Sequence, residues 1–388
     1  MPRPLWLFSF VNMVIGSGAF VISGVLAPLA QDLAISVPAA GQAMTAYALS
    51  TALLAPLVLL ATGHWPRKRA LLLALSLFAA GNVVCALAAS LPVLLAGRVL
   101  MGVGAVFTPI AAGITVAMVE PARRGQALAL VFLGFSLSYV VGVPLGAWLG
   151  LAYGWHLPIW VVVALCVLAI AAVAARVPAG IASSGAGFKG LGTLLARRQV
   201  QAALTLTLLY FTAIFTVFSY IGPVLQALLP MSDERLSVTL TLFGLSGVAG
   251  TLLGGAANDR LGTQRTLAVQ LSTLGTTMLL LPLAAGSWPA LIAVLLAWGA
   301  AGFGMMAPQQ SRLAALAPTQ APMLLSLNTS MLYLGTASGA IAGGALASVL
   351  GFQRLAWAGV PFVALGLVVL WLAHTSGPSI PDPKEHAA

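Results

Sequence analysis

The sequence predicts an all-α membrane protein of twelve helices arranged as two related six-helix halves. Three observations carry this. Only 6% of residues are charged and 60% are hydrophobic, whereas about a quarter of a soluble domain is charged. Apolar stretches of bilayer-crossing length recur from one end of the 388 residues to the other. Short motifs also return at an offset of about 200 residues, the signature of a transporter built from two parallel repeats.

Charged loops and Pro, Gly and Asn breaks place the spans at 5–30, 40–62, 69–90, 92–118, 125–150, 156–176, 200–228, 236–257, 265–284, 289–311, 322–349 and 355–373. The first has no long basic run before it and no early small-residue cleavage site, so it reads as a retained span rather than a signal peptide. The longest connection, PAGIASSGAGFKGLGTLLARR (178–198), is rich in Gly, Ser and Ala and reads as a flexible linker. The expected organisation is a six-helix bundle over 1–176, a linker over 177–199, a second bundle over 200–374 and a disordered tail over 375–388.

The basic residues give the orientation. Arg67, Lys68, Arg69, Arg123, Arg124, Arg176, Lys189, Arg197, Arg198, Arg260, Arg265 and Arg312 fall on the side that holds both termini, and only Arg235 and Arg354 fall on the other. The positive-inside rule makes the first side cytoplasmic. The same loops account for the net charge of +10, so no nucleic-acid partner is implied. The partners expected are the lipid bilayer and a small molecule. Cys85 and Cys166 lie apart inside apolar spans and suit neither a disulfide nor a metal site. No HExxH motif, membrane aspartate pair or Ser/His pairing points to an intramembrane enzyme, and no cofactor is implied.

The two halves echo each other. GVGAVFTP (102–109) returns as GFGMMAP (302–308). Gly134, Ser138, Gly142, Gly146 and Gly150 form a ladder of small residues in span five, matched by Gly335, Gly339, Gly343 and Ala347 in span eleven. A spacing of four puts them on one helix face, where two helices pack closely. Pro144 within the first ladder removes a backbone hydrogen bond and permits a bend. A smooth, bendable helix suits a moving seam between the halves. The stretch GGAANDRLGTQR (254–265) joins spans eight and nine. It reads either as a turn with a solvated charge pair or as a latch, with Gly255 for close packing, Asp259 and Arg260 at the membrane surface, Gly262 for the turn and Arg265 opening the next span.

GGAANDRLGTQR resembles the signature loop of the major facilitator superfamily. LLAGRVLMGVGAVFTP (94–109) resembles its span-four arginine motif, and GFSLSYVVGVPLGAWLG (134–150) resembles the span-five motif of drug/proton antiporters. GSGAFVISGVLAPLAQDL (16–33) is similar to span one of the arabinose-efflux-permease-like branch. The resemblance covers nearly the whole chain. It implies twelve helices in two pseudo-symmetric bundles, a central cavity, alternating-access export, a monomer, and a bacterial cytoplasmic membrane as location. Two departures stand out. Between spans two and three, ATGHWPRKR (61–69) carries Gly63 and Pro66 where the signature loop has aspartate and glycine. In span one, Ala19 precedes Phe20 where relatives of this branch carry a glutamate.

That second departure isolates Arg98, the one arginine inside a span. The seven acids, Asp32, Glu120, Asp233, Glu234, Asp259, Asp382 and Glu385, all fall at span ends, in loops or in the tail. Proton coupling needs a group that titrates between states, and an arginine stays protonated. Asp32, at the outer end of span one, is the candidate partner within reach of a snorkelling Arg98. Arg98 is read either as a structural cation bonded to carbonyls or as a coupling residue. The family's architecture draws the cavity from spans one, four, seven and ten, with Asn12, Tyr210, Phe215, Tyr220, Gln309 and Gln310 as lining residues. Without an acid there, the substrate expected is neutral or anionic. The reading is an exporter of a drug, sugar, nucleoside or metabolite with protons as second partner; the alternative is an uncoupled facilitator.

Overall fold

Apolar sequence without internal water must satisfy its own backbone, and helices do so within one segment. A computed structural model describes residues 3–120, 123–178, 191–317 and 320–375, and every regular element among them is helical. The centre of the expected linker and the tail after 375 lie outside the described residues. Span one comprises an α-helix, Arg3–Phe20, a 3-10 turn, Val21–Gly24, and a short helix, Leu26–Asp32. Span two is Val37–Ala61, span three Arg67–Ala86, span four Leu91–Gly104 with Phe107–Met118, and span six His156–Arg176. Span seven is Arg198–Phe218 with Ile221–Leu228, span eight Asp233–Leu261, span ten Trp288–Gly304 with Met306–Leu316, and span eleven Ala321–Leu350. Span twelve runs through a 3-10 stretch, Phe352–Gly359, into Val360–Thr375.

Eleven helices among the described residues are long and apolar enough to cross a membrane. The twelfth expected pass, span nine, is the helix Thr263–Leu280, extended by a 3-10 turn at Pro282–Ala284. Its polar opening, Thr-Gln-Arg, dilutes an otherwise apolar helix. Among the described residues, single glycines make two of the joints, Gly262 between spans eight and nine and Gly351 between spans eleven and twelve, with φ of +77° and +71° where a side chain would be strained.

Span five follows Pro144. Its first helix, Arg124–Leu137, widens into a π-helical turn, Ser138–Gly142, before resuming as Val143–Tyr153. Val143 N–H donates to the Ser138 carbonyl, five residues back. Pro144 has no N–H, and its ring would press on the carbonyl four residues before it. The wider turn supplies that room.

The glycine ladders settle the packing, but not at the seam between halves. A Cβ on Gly134 would strike the Ser9 carbonyl, one on Gly142 the Ser17 hydroxyl, and one on Gly146 the Val21 side chain. Span five therefore lies against span one of the same half. Span eleven repeats this on span seven: a Cβ on Gly339 would lie 2.6 Å from the Thr212 carbonyl, and one on Gly343 would meet the Thr216 carbonyl. The halves meet elsewhere. Span five touches span eight, where the Ser237 hydroxyl donates to the Pro144 carbonyl at 3.0 Å. Span eleven touches span two, where Tyr47 and Tyr333 stack edge-on at 6.1 Å. The expectation that the ladders form the moving seam is corrected. The small residues let these helix backbones approach closely, so the ladders hold each half together internally.

Candidate functional site

The Arg98 guanidinium is 2% exposed and sits where spans one, two and four converge. Its Nε donates to the Ala43 carbonyl at 3.1 Å, Nη1 to the Gly18 carbonyl at 2.9 Å, and Nη2 to the Ala19 carbonyl at 2.5 Å. The local fold explains the two acceptors on span one. Span one leaves its α-helix at Phe20 for a 3-10 turn, and the last carbonyls of a helix lack partners along the chain. They also form its negative pole, which favours a cation. Arg98 thus clamps a break in span one. Nη1 also reaches the Met101 sulfur at 3.7 Å, and the guanidinium carbon lies 5.2 Å from the Tyr47 ring centroid.

Asp32 is not part of this arrangement, contrary to the pairing considered from sequence. It is exposed at the end of span one, and its carboxylate accepts from Trp155 Nε1 at 2.9 Å. Each residue has found nearer partners than the other. Ala19, at the place of the acid in relatives, supplies its backbone instead.

The predicted cavity residues divide. Asn12 is fully buried. Its Nδ2 donates to the Val131 carbonyl at 2.9 Å, and its Oδ1 accepts from the Thr108 hydroxyl at 2.8 Å. This knot ties spans one, four and five. Gln309 builds the counterpart among spans seven, ten and eleven: its Nε2 donates to the Ala203 carbonyl at 2.5 Å and to Thr207 Oγ1 at 2.9 Å. Thr207 in turn lies 2.6 Å from Asn328 Oδ1. The internal repeat therefore extends to polar chemistry. Asn12 and Gln309 belong to these knots rather than to a cavity wall in this conformation.

Tyr220 is likewise spent on packing. Its hydroxyl donates to the Ala340 carbonyl at 2.9 Å and lies 3.5 Å from the Pro38 carbonyl across the seam. Gln310 is exposed. Tyr210 and Phe215 are buried at the edge of an aromatic cluster at mid-depth. Its centre joins the halves: Phe20 stacks on Tyr139 at 5.0 Å and meets Phe215 at 5.8 Å, while Tyr139 meets Phe218 at 5.6 Å and Phe303 at 4.7 Å. Phe20 and Phe218 end the main helices of spans one and seven, so each helix break delivers an aromatic ring to this plug.

Sequence reasoning missed two participants, Tyr47 and Trp298. Trp298 stands 200 residues after Arg98 and occupies the same position in the second repeat. It packs on Phe243 at 5.0 Å, and its buried Nε1 has no hydrogen-bond partner. The 200-residue offset carried that signal. Of the conformational motifs, Asp259, Arg260 and Arg265 are exposed. Their turn is held by Thr263, whose hydroxyl contacts Asn258 Oδ1 at 2.9 Å, and by Gln264, which donates to the Leu370 carbonyl at 2.9 Å. A Cβ added to Gly255 would meet nothing within 4 Å, so the close packing expected there is corrected: the position faces open space.

These features have relatives. The family model described as Major Facilitator Superfamily matches residues 8–316 and again 207–388. The inner membrane transport protein YdhP of Escherichia coli K12 is 31% identical over 97% of each chain. A chloramphenicol resistance protein of Streptomyces lividans is 33% identical over 95% of each. A probable sugar efflux transporter of Pasteurella multocida is 26% identical, over 94% of this chain and 90% of that one. Among solved structures, a D-xylose–proton symporter superposes with a TM-score of 0.79 at 14% identity, covering 95% of this chain and 96% of that one. A bacterial homologue of the human lysosomal transporter Spinster, in an inward-facing and occupied conformation, does so at 0.80 and 17%, covering 96% of each. Two six-helix halves, the clamped span-four arginine and these matches along the full chain lead to one conclusion: the chain belongs to the major facilitator superfamily, and it is a multi-span membrane transporter rather than an enzyme.

Proposed function

We propose that this transporter exports a small neutral or anionic molecule from the cytoplasm by alternating access. With both termini cytoplasmic, as the basic loops imply, the end that carries Tyr220, Ser237 and Asp32 faces outward. One observation carries the reading. The contacts between halves run from mid-depth to that outer end, through Tyr47–Tyr333, the Phe20–Phe215 plug, Ser237–Pro144 and Tyr220–Pro38. Closure at one end around rigid halves is one of two states that such a carrier alternates between. The chloramphenicol resistance and sugar efflux relatives support export, the inner membrane relative supports the location, and drug or sugar is the substrate class they suggest.

Proton linkage is the finer part of this reading, with Asp32 as the group that exchanges the proton and Arg98 as the fixed charge of the path. The second reading, an uncoupled facilitator, is favoured by one specific observation: Arg98 is bonded to neutral carbonyls and a thioether. Flux of chloramphenicol and of a neutral pentose in proteoliposomes tests both. Uphill movement driven by an imposed pH gradient supports proton-linked export, and flux that only equilibrates supports the facilitator. Protein that moves neither compound under any gradient refutes the drug and sugar reading.

A further inference from the structure

Arg98 carries a full charge in the centre of the fold with no carboxylate on it. Carbonyl dipoles hold the guanidinium but leave its net charge uncancelled, and a buried cation attracts an anion strongly where water is scarce. The face of that charge not used by carbonyls lies against Tyr47. Tyr47 is itself fully buried, and its hydroxyl lies near the side-chain oxygens of Tyr333 and Thr51 without a hydrogen bond of good geometry to either. A buried hydroxyl left unpaired is costly and calls for an explanation. Tyr333, from the opposite half, covers it edge-on at 6.1 Å and is 9% exposed.

We propose that the Tyr47 hydroxyl, backed by Arg98 and covered by Tyr333, is a recognition point for a small organic monoanion, specifically a carboxylate on an apolar body. The carboxylate accepts from Tyr47 and lies in the field of the guanidinium, while the apolar body packs on the aromatic side chains. Displacement of the Tyr333 ring admits it. Because Tyr333 belongs to the other half, the ligand bridges the seam between spans two and eleven. This deepens the exporter reading and rests on it for the direction of transport.

The test is equilibrium binding to the full-length protein in lipid nanodiscs. Benzoate is the probe and benzamide its neutral control of the same shape. Wild type is expected to bind benzoate at least tenfold more tightly than benzamide. Tyr47→Phe, which removes only the hydroxyl, is expected to weaken benzoate about tenfold or more, in line with loss of a hydrogen bond to a charged group, and to weaken benzamide, whose carbonyl forms only a neutral bond, by a smaller factor. Tyr333→Phe, which keeps the covering ring, is expected to retain the preference. Equal affinity for the two probes, no binding of benzoate by wild type, or full benzoate affinity in a Tyr47→Phe protein of wild-type melting temperature overturns the proposal. Binding as expected without outward flux refutes export and leaves the recognition point standing. Outward flux with Tyr47→Phe binding unchanged does the reverse.

Discussion

Replacing Arg98 by methionine and by lysine separates an arginine held by carbonyls from one held by an acid. The structure gives Arg98 three bonds to backbone carbonyls on two neighbouring spans. Hydrogen bonds inside membranes average about 0.6 kcal/mol and reach about 1.7, so methionine forfeits about 2–5 kcal/mol. It also removes a charge whose placement at a helix centre costs about 2.5–3.5 kcal/mol. The two effects nearly cancel, and Arg98→Met is expected to melt within a few degrees of wild type. Lysine keeps the charge, while its compact ammonium lacks the planar fork that spans Gly18, Ala19 and Ala43. Arg98→Lys is therefore expected to be the less stable variant, by about 1–3 kcal/mol from the same per-bond figures. Thermal denaturation of the purified variants in one detergent gives the order directly. A lysine variant as stable as wild type, beside a methionine variant destabilised by more than about 3 kcal/mol, would refute the reasoning, because an isolated positive charge would then suffice and must be meeting a negative one. Export is expected to fall in both, since the break in span one loses its clamp.

Gly339→Ala is expected to destabilise by about 1–3 kcal/mol, because the new methyl meets the backbone of span seven rather than a side chain able to move; unchanged melting refutes the description of ladders that hold each half together. Asn12→Leu and Gln309→Leu are each expected to cost about 1–2 kcal/mol and to add in the double variant, since they sit in separate knots. Gln309→Leu with Asn328→Leu, in one knot, is expected to fall short of additivity, which chemical denaturation of the four proteins measures. Asp32→Asn keeps an acceptor for Trp155, so its fold is expected to be unchanged; if Asp32 exchanges the proton, the variant loses uphill flux and keeps equilibrating flux in proteoliposomes.

Most of the architecture was legible in the chain. Apolar runs between charged loops define helices, because each pass must be apolar along its length and satisfy its backbone internally. Repeats at an offset of about 200 residues mark the two halves, and small residues at a spacing of four mark a smooth face. Tertiary structure alone decided what each face meets. A ladder on span five reads the same whether it packs on span one or on span eight, since the spacing describes one helix and not its neighbour. Asn12 and Gln309 show the same limit, because a polar side chain in a span serves equally as a cavity wall or as a tie between helices. Arg98 shows it most clearly. A search for acids could not find its partner, since every residue has a carbonyl. Only where span one breaks at Phe20 do the carbonyls of Gly18 and Ala19 become free to bind a cation, and only the packing of spans one, two and four brings the guanidinium to them.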